Sequence, residues 1–176
     1  MKIILLRHEE RGDSPDFYTS LTQKGLEKSD KLAEELLKLE ITRIYCSPFL
    51  RVLQTINEFS LRRSLLVNIE YSLYEYLGPE YLTSNIGDIH DIPWFLPRCN
   101  TYYTSVFSKE RLKLNESLED IRNRVNKFVE YLQNLSQSQT DVILLVSHLT
   151  TLEIFSEQFL GEKISLNMGE YRIIDI

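Results

Sequence analysis

The sequence predicts a three-layer α/β/α sandwich with a mainly parallel central sheet and a small lid insertion. Two observations carry the prediction. KIILL (2–6) and VILLV (142–146) are short, uninterrupted apolar runs, the pattern of strands buried on both faces of a parallel sheet. Long segments of helical period separate these runs from weaker strand candidates, and alternating strands and helices imply helices packed on a largely parallel sheet.

Taken in order, KIILL opens the chain as a central strand. From Thr22 onward Leu26, Ala33, Leu36 and Leu37 recur at helical spacing. RIYC (43–46) reads as the next strand, and Ser47-Pro48 reads as the start of a second helix, because serine caps free amides and proline suits a first turn. LLVNI (65–69) is a further strand candidate. Between Glu116 and Ser136 the apolar residues Leu118, Ile121, Val125, Phe128, Leu132 and Leu135 repeat at helical period; VILLV follows, and YRIID (171–175) reads as a final strand. Residues 77–111 break the alternation. They hold Gly78, Pro79, Pro93, Pro97, the only tryptophan (Trp94) and the Tyr102-Tyr103 pair without clear period, which suits a lid or cap insertion better than a simple connection.

The bulk numbers bound the rest. A chain of 176 residues, 43% hydrophobic, fits one domain over 1–176. Its net charge of −6 argues against a nucleic-acid or anionic-membrane partner, which usually demands a basic surface. The apolar runs fall far short of the roughly 20 residues needed to cross a bilayer. Two cysteines, Cys46 and Cys99, with no leader-like start, lead us to expect reduced thiols and a cytoplasmic protein.

Two of the three histidines occupy equivalent places: IILLRH ends in His8 and ILLVSH ends in His148. In open parallel sheets ligands bind just beyond the carboxyl ends of the strands, where both would sit. Arg7 adjoins His8, and Arg51 falls in the first turn of the helix expected after Ser47, where the helix dipole already favours an anion. Guanidinium groups match phosphate oxygens in bidentate geometry, so two arginines and two histidines describe an oxyanion pocket. The flanking residues are not clustered metal ligands, and no metal or cofactor is expected. His90, between Asp88 and Asp91, reads as a polar loop residue.

LLRHEERGD (5–13), SLTQKGLEKSDKLAEEL (20–36), IYCSPFLRVLQTI (44–56), LYE (73–75) and LLVSHLTTL (144–152) together resemble the histidine phosphatase superfamily, the phosphoglycerate mutase-like group with its RHG signature. The resemblance runs in order from residue 2 to about 160 and leaves 77–111 unmatched. It implies a metal-independent phosphomonoesterase in which His8 attacks phosphorus and becomes phosphohistidine, Arg7, Arg51 and His148 hold the transferring group, and Glu75 acts as general acid and later activates water. Glu70 and Glu80 stand behind Glu75 as alternatives. Arg11 gives an HEER reading similar to the HGER of one branch, which adds a third positive charge to the substrate site. The implied partner is a phosphorylated substrate, a small molecule or a phosphoprotein; oligomeric state is not readable.

Two departures stand out. Glu9 replaces the glycine of the signature, and Leu149 and Thr150 replace small residues after the second histidine. A carboxylate about 5 Å from a bound phosphate would repel it by roughly 3 kcal/mol at an effective dielectric of 20. We therefore expect Glu9 to point away from the phosphate and to pair with Arg11. A catalytically silent phosphate-binding member is the alternative function, and a phosphoglycerate mutase ranks below it, because such mutases resemble longer chains with more elaborate insertions. Trp94, Tyr102 and Tyr103 are candidates either to line a substrate pocket or to pack the lid onto the sheet.

Overall fold

The computed structural model describes residues 1–81, 85–135 and 141–176. Its five strands are β1 (Lys2–Arg7), β2 (Arg43–Cys46), β3 (Val67–Ile69), β4 (Val142–Ser147) and β5 (Tyr171–Asp175), in the spatial order β3-β2-β4-β1-β5. β1, β2, β3 and β4 run parallel, and β5 closes the sheet antiparallel to β1. Four helices, α1 (Gln23–Leu36), α2 (Leu50–Arg63), α3 (Leu118–Leu135) and α4 (Leu149–Leu160), cover the two faces.

Strand alternation explains the layering. Ile4, Leu6, Ile44, Val67, Leu144 and Val146 point to one face, where they meet Leu32, Leu36, Leu53 and Phe59 of α1 and α2. Their neighbours Ile3, Leu5, Tyr45, Ile143 and Leu145 point to the other, against Ile121, Val125, Phe128, Leu152 and Phe155 of α3 and α4. Because the inner strands are buried from both sides, they read in sequence as solid apolar runs rather than alternating ones.

Three local expectations change. Ser47 does not cap α2: the helix begins three residues later, Phe49 is its N-cap residue, and that cap makes no side-chain hydrogen bond. The Ser47 hydroxyl bonds instead to Nε2 of His148, 2.9 Å away. β3 starts at Val67 rather than Leu65, with Leu66 turned half into solvent. α3 begins at Leu118, two residues after the expected Glu116, and Ser136 lies outside the described residues. At the start of α1 the reading holds, since Thr22 accepts from the amide of Gly25.

Residues 77–111, of which 82–84 lie outside the described residues, contain short 3-10 turns at Ile89–Asp91, Leu96–Arg98 and Lys109–Arg111. They are anchored by side chains: Ile89, Ile92, Phe95 and Phe107 enter the core on the α1–α2 side. Among the described residues no helix is long and apolar enough to cross a membrane.

Candidate active site

The sheet brings His8 and His148 together because β1 and β4 are neighbours in register, Arg7 opposite Ser147, and each histidine follows its strand directly. Their rings lie edge to face at 5.4 Å, and both are almost fully buried. His8 Nδ1 lies 2.8 Å from the carbonyl oxygen of Glu9, so Nδ1 carries the proton and donates, leaving the Nε2 lone pair free. Thr55 of α2 fixes that loop, accepting from the Glu9 amide and donating to the Arg51 carbonyl.

Arg51, in the first turn of α2, is fully buried. Its guanidinium lies 4.5 Å from the Phe49 ring and donates through Nη1 to the Asp16 carbonyl at 2.9 Å and through Nη2 to Glu75 Oε2 at 3.2 Å. The same Glu75 oxygen stands 3.2 Å from Nδ1 of His148. Glu75 therefore bridges the second histidine and the buried arginine. Arg7 donates through Nη1 to the Leu166 carbonyl. The Nε atoms of Arg7 and Arg51 are both buried without a hydrogen-bond partner in the protein. Donors of this kind are costly to leave unmet, and a pair of them beside two histidines suits an anionic ligand.

Electrostatics sort the protonation states. Burial, reinforced by His148 and Arg51, pushes His8 down to about 2, and burial takes His148 down to about 4 despite Glu75 beside it. Both imidazoles are thus neutral near pH 7. Burial alone would raise Glu75, but His148, Arg51 and His8 outweigh it and hold the carboxyl well below the ordinary range. Burial also lowers Arg7 and Arg51, yet from so high a starting value that both stay charged.

The other sequence candidates separate clearly. Glu70 is buried away from the histidines and accepts from the Ser72 amide, Tyr103 Oη, Ser105 Oγ and the Val106 amide. Glu80 is exposed. Arg11 lies near enough to Arg7 and Arg51 to disfavour their protonation, while its Nη1 donates to the carbonyls of Gly12, Asp13 and Ser14. Glu9 does not pair with Arg11. Its carboxylate accepts from the Glu10 amide and lies against Gly169, whose φ of 75° and lack of a side chain make room for it. Tyr103 ties its segment to Glu70, Tyr102 is solvent-exposed, and Trp94 lies by Arg98 beside a small surface cavity with Leu26 and Asn57. His90 is exposed and bonds Asp88.

Ser47, expected only as a helix cap, and Tyr81, for which the sequence predicts no role, also join the site. Tyr81 donates to the Pro15 carbonyl and adjoins Arg51, its phenol pushed up to about 12 by burial. A cavity of about 620 Å³ opens beside this wall, lined by Asp16, Phe17, Tyr18, Asn85, Ile86 and Asp91 among others.

Residues 4–170 match the model of the histidine phosphatase superfamily (branch 1), and the chain belongs to that family. It is 28% identical over 165 residues to the ecdysteroid-phosphate phosphatase of Drosophila melanogaster, covering 86% of this chain and 20% of that protein. It is 25% identical over 149 residues to ubiquitin-associated and SH3 domain-containing protein A of Homo sapiens, covering 80% and 22%. The chain thus spans about a fifth of the length of these curated relatives. Among solved structures, the ecdysone phosphate phosphatase of Bombix mori in complex with tungstate superposes with a TM-score of 0.73 at 14% identity, over 98% of this chain and 88% of that one. The α-ribazole phosphatase of Shigella flexneri gives 0.73 at 22% identity, over 100% and 91%. These likenesses establish the fold.

Proposed function

We propose that the chain is a metal-independent phosphomonoesterase that works through a phosphohistidine at His8, on a phosphorylated small molecule. The observation that carries this reading is the convergence of a neutral His8, its Nδ1 proton held by the Glu9 carbonyl, with His148, Arg51 and an ionised Glu75 at the carboxyl ends of adjacent parallel strands. Family membership and the phosphatases among its relatives support it.

In this reading His8 Nε2 forms the bond to phosphorus as the bond to the leaving oxygen breaks. Arg7, Arg51 and His148 take the non-bridging oxygens, supplying the fixed positive charge and donors that phosphoryl transfer requires. Glu75 gives its proton to the leaving oxygen. Because Glu75 is ionised in the free site, it must gain that proton as substrate binds. A phosphate monoester has a second pKa of about 6, so its monoanion can bring one, while a dianion taking over Arg51 and His148 removes what keeps Glu75 ionised. The Glu75 carboxylate then accepts a proton from the water that attacks phosphohistidine, which returns His8 and releases phosphate.

The test is to quench turnover of an aryl phosphate at alkaline pH and measure acid-labile phosphate on the protein, with chelator present. Stoichiometric labelling that disappears in His8→Ala is expected. Binding of phosphate without labelling or turnover would favour the silent, phosphate-binding reading instead.

A further inference from the structure

The segment that carries Glu75 is held more firmly than a surface connection needs to be. Arg124 and Glu116 form an ion pair inside the protein, with side chains 1% and 3% exposed. Its geometry is bidentate: Arg124 Nε donates to Glu116 Oε1 at 2.6 Å and Nη2 to Oε2 at 3.0 Å. The remaining reach of the guanidinium goes to the backbone on either side of the candidate acid. Nη1 donates to the Ser72 carbonyl at 2.6 Å and Nη2 to the carbonyl of Glu75 itself at 3.0 Å. Glu116 completes the frame by accepting from the Leu77 amide at 3.2 Å. The two carbonyls in between are also taken, Leu73 by Ser147 Oγ and Tyr74 by Thr151 Oγ1.

Isolating two opposite charges from water is expensive, and such a pair is weak evidence for stability on its own account. An apolar residue would suit this stripe of α3, which faces the core through Ile121, Val125 and Phe128. What the pair supplies that an apolar side chain cannot is a rigid fork gripping the peptide groups of residues 72–77. We propose that Arg124, braced by Glu116, is a positioning residue: it sets where the Glu75 carboxyl stands relative to His8 and His148 and so governs proton delivery to the leaving group. It rests on the reading of Glu75 as the acid. The arginine touches neither substrate nor reacting atoms.

A lysine at 124 keeps the charge but cannot span both carbonyls and both Glu116 oxygens. The experiment compares Arg124→Lys and Glu116→Gln with the unmodified chain, measuring kcat and KM for an alkyl phosphate and for p-nitrophenyl phosphate, whose leaving group needs little protonation. The expected result is a kcat loss of about 10- to 100-fold on the alkyl substrate, less than about threefold on the aryl substrate, and little change in KM for either. Glu75→Gln measured alongside should show the same selectivity more strongly, and adding Arg124→Lys to it should cost little further, since both act through one step. Equal losses on both substrates, or additive losses in the double variant, would overturn the positioning role. Absence of leaving-group selectivity in Glu75→Gln would instead overturn the assignment of the acid. If Arg124→Lys does not fold, Glu116→Gln decides by the same ratio, and should both fail to fold, the pair is a structural element and the proposal falls.

Discussion

Glu70 and Glu75 sit five residues apart on the connection that leaves β3, and they have opposite fates. The Glu70 end meets hydroxyls and amides: it accepts from the Ser72 amide, and Tyr103, Ser105 and Val106 use its carboxyl to tie residues 103–106 to the end of β3. At the other end, Glu75 meets Arg51 and His148, a cation and an imidazole that the proposed mechanism hands over to the bound phosphate. The difference teaches that, on the proposed mechanism, the partners of a carboxylate rather than its residue type pick out the acid. A carboxylate whose lone pairs are filled by fixed dipoles is a fastener, whereas one held by a cation and an imidazole can exchange them for substrate.

Substituting each glutamate is the most direct attempt to break the comparison. Glu75→Gln should lower turnover of alkyl phosphates by about 10²- to 10⁴-fold and far less for aryl phosphates. Glu70→Gln should spare the leaving-group dependence and show itself in stability, with roughly 2 to 4 kcal/mol lost in denaturant unfolding, because an amide would set donors against donors in a buried site. Leaving-group selectivity in Glu70→Gln would show the two roles to be misassigned.

Acid sharpens the contrast without mutation. His8 and His148 have folded values depressed to about 2 and 4 from an ordinary 6.5. Their contribution to stability is complete above about 6.5 and is lost as pH falls from there toward the folded values, since the unfolded chain takes up protons first. Between pH 7 and pH 5 each histidine should account for about 2 kcal/mol of lost stability. Glu75, also depressed, acts in the same direction below about 4.5. Urea midpoints measured across this range should flatten in His8→Asn; an unchanged slope would mean that the imidazole is not buried neutral.

The smallest expected effect belongs to Glu9, whose carboxylate faces Gly169. Glu9→Gly and Glu9→Gln should each change inhibition by inorganic phosphate less than about tenfold. A hundredfold gain in affinity would put the carboxylate in the pocket after all.

The sequence made some of this legible and hid the rest for physical reasons. His8, His148 and Arg51 could be grouped because strand ends and helix starts are local signals, and a parallel sheet puts strand ends together. Ser47 was misread as a cap because its true partner, His148, lies about a hundred residues on. The place of Glu9 depends on Gly169, at the far end of the chain and next to the last strand. Arg124 left a usable trace: it falls on the same helical stripe as Ile121, Val125 and Phe128, and a charge on an apolar stripe asks for a buried partner. Glu116 stands two residues before the helix, and periodicity marks apolar positions, so it carries no signal for a buried carboxylate there.

Residues 77–111 also border the rim of the sheet. β3 is an outer strand, and residues 99–100 run beside it, Cys99 bridging Val67 while the Asn100 amide donates to the Val67 carbonyl at 2.9 Å and its side chain bonds Asn68. An outer strand left bare offers unpaired peptide groups to another chain and invites edge-to-edge pairing into aggregates. Residues 99–100 therefore serve as a selvedge for the sheet. Shortening this segment carries a hazard that no assay on a dilute sample would register: a protein that stays in solution while dilute and precipitates as it is concentrated.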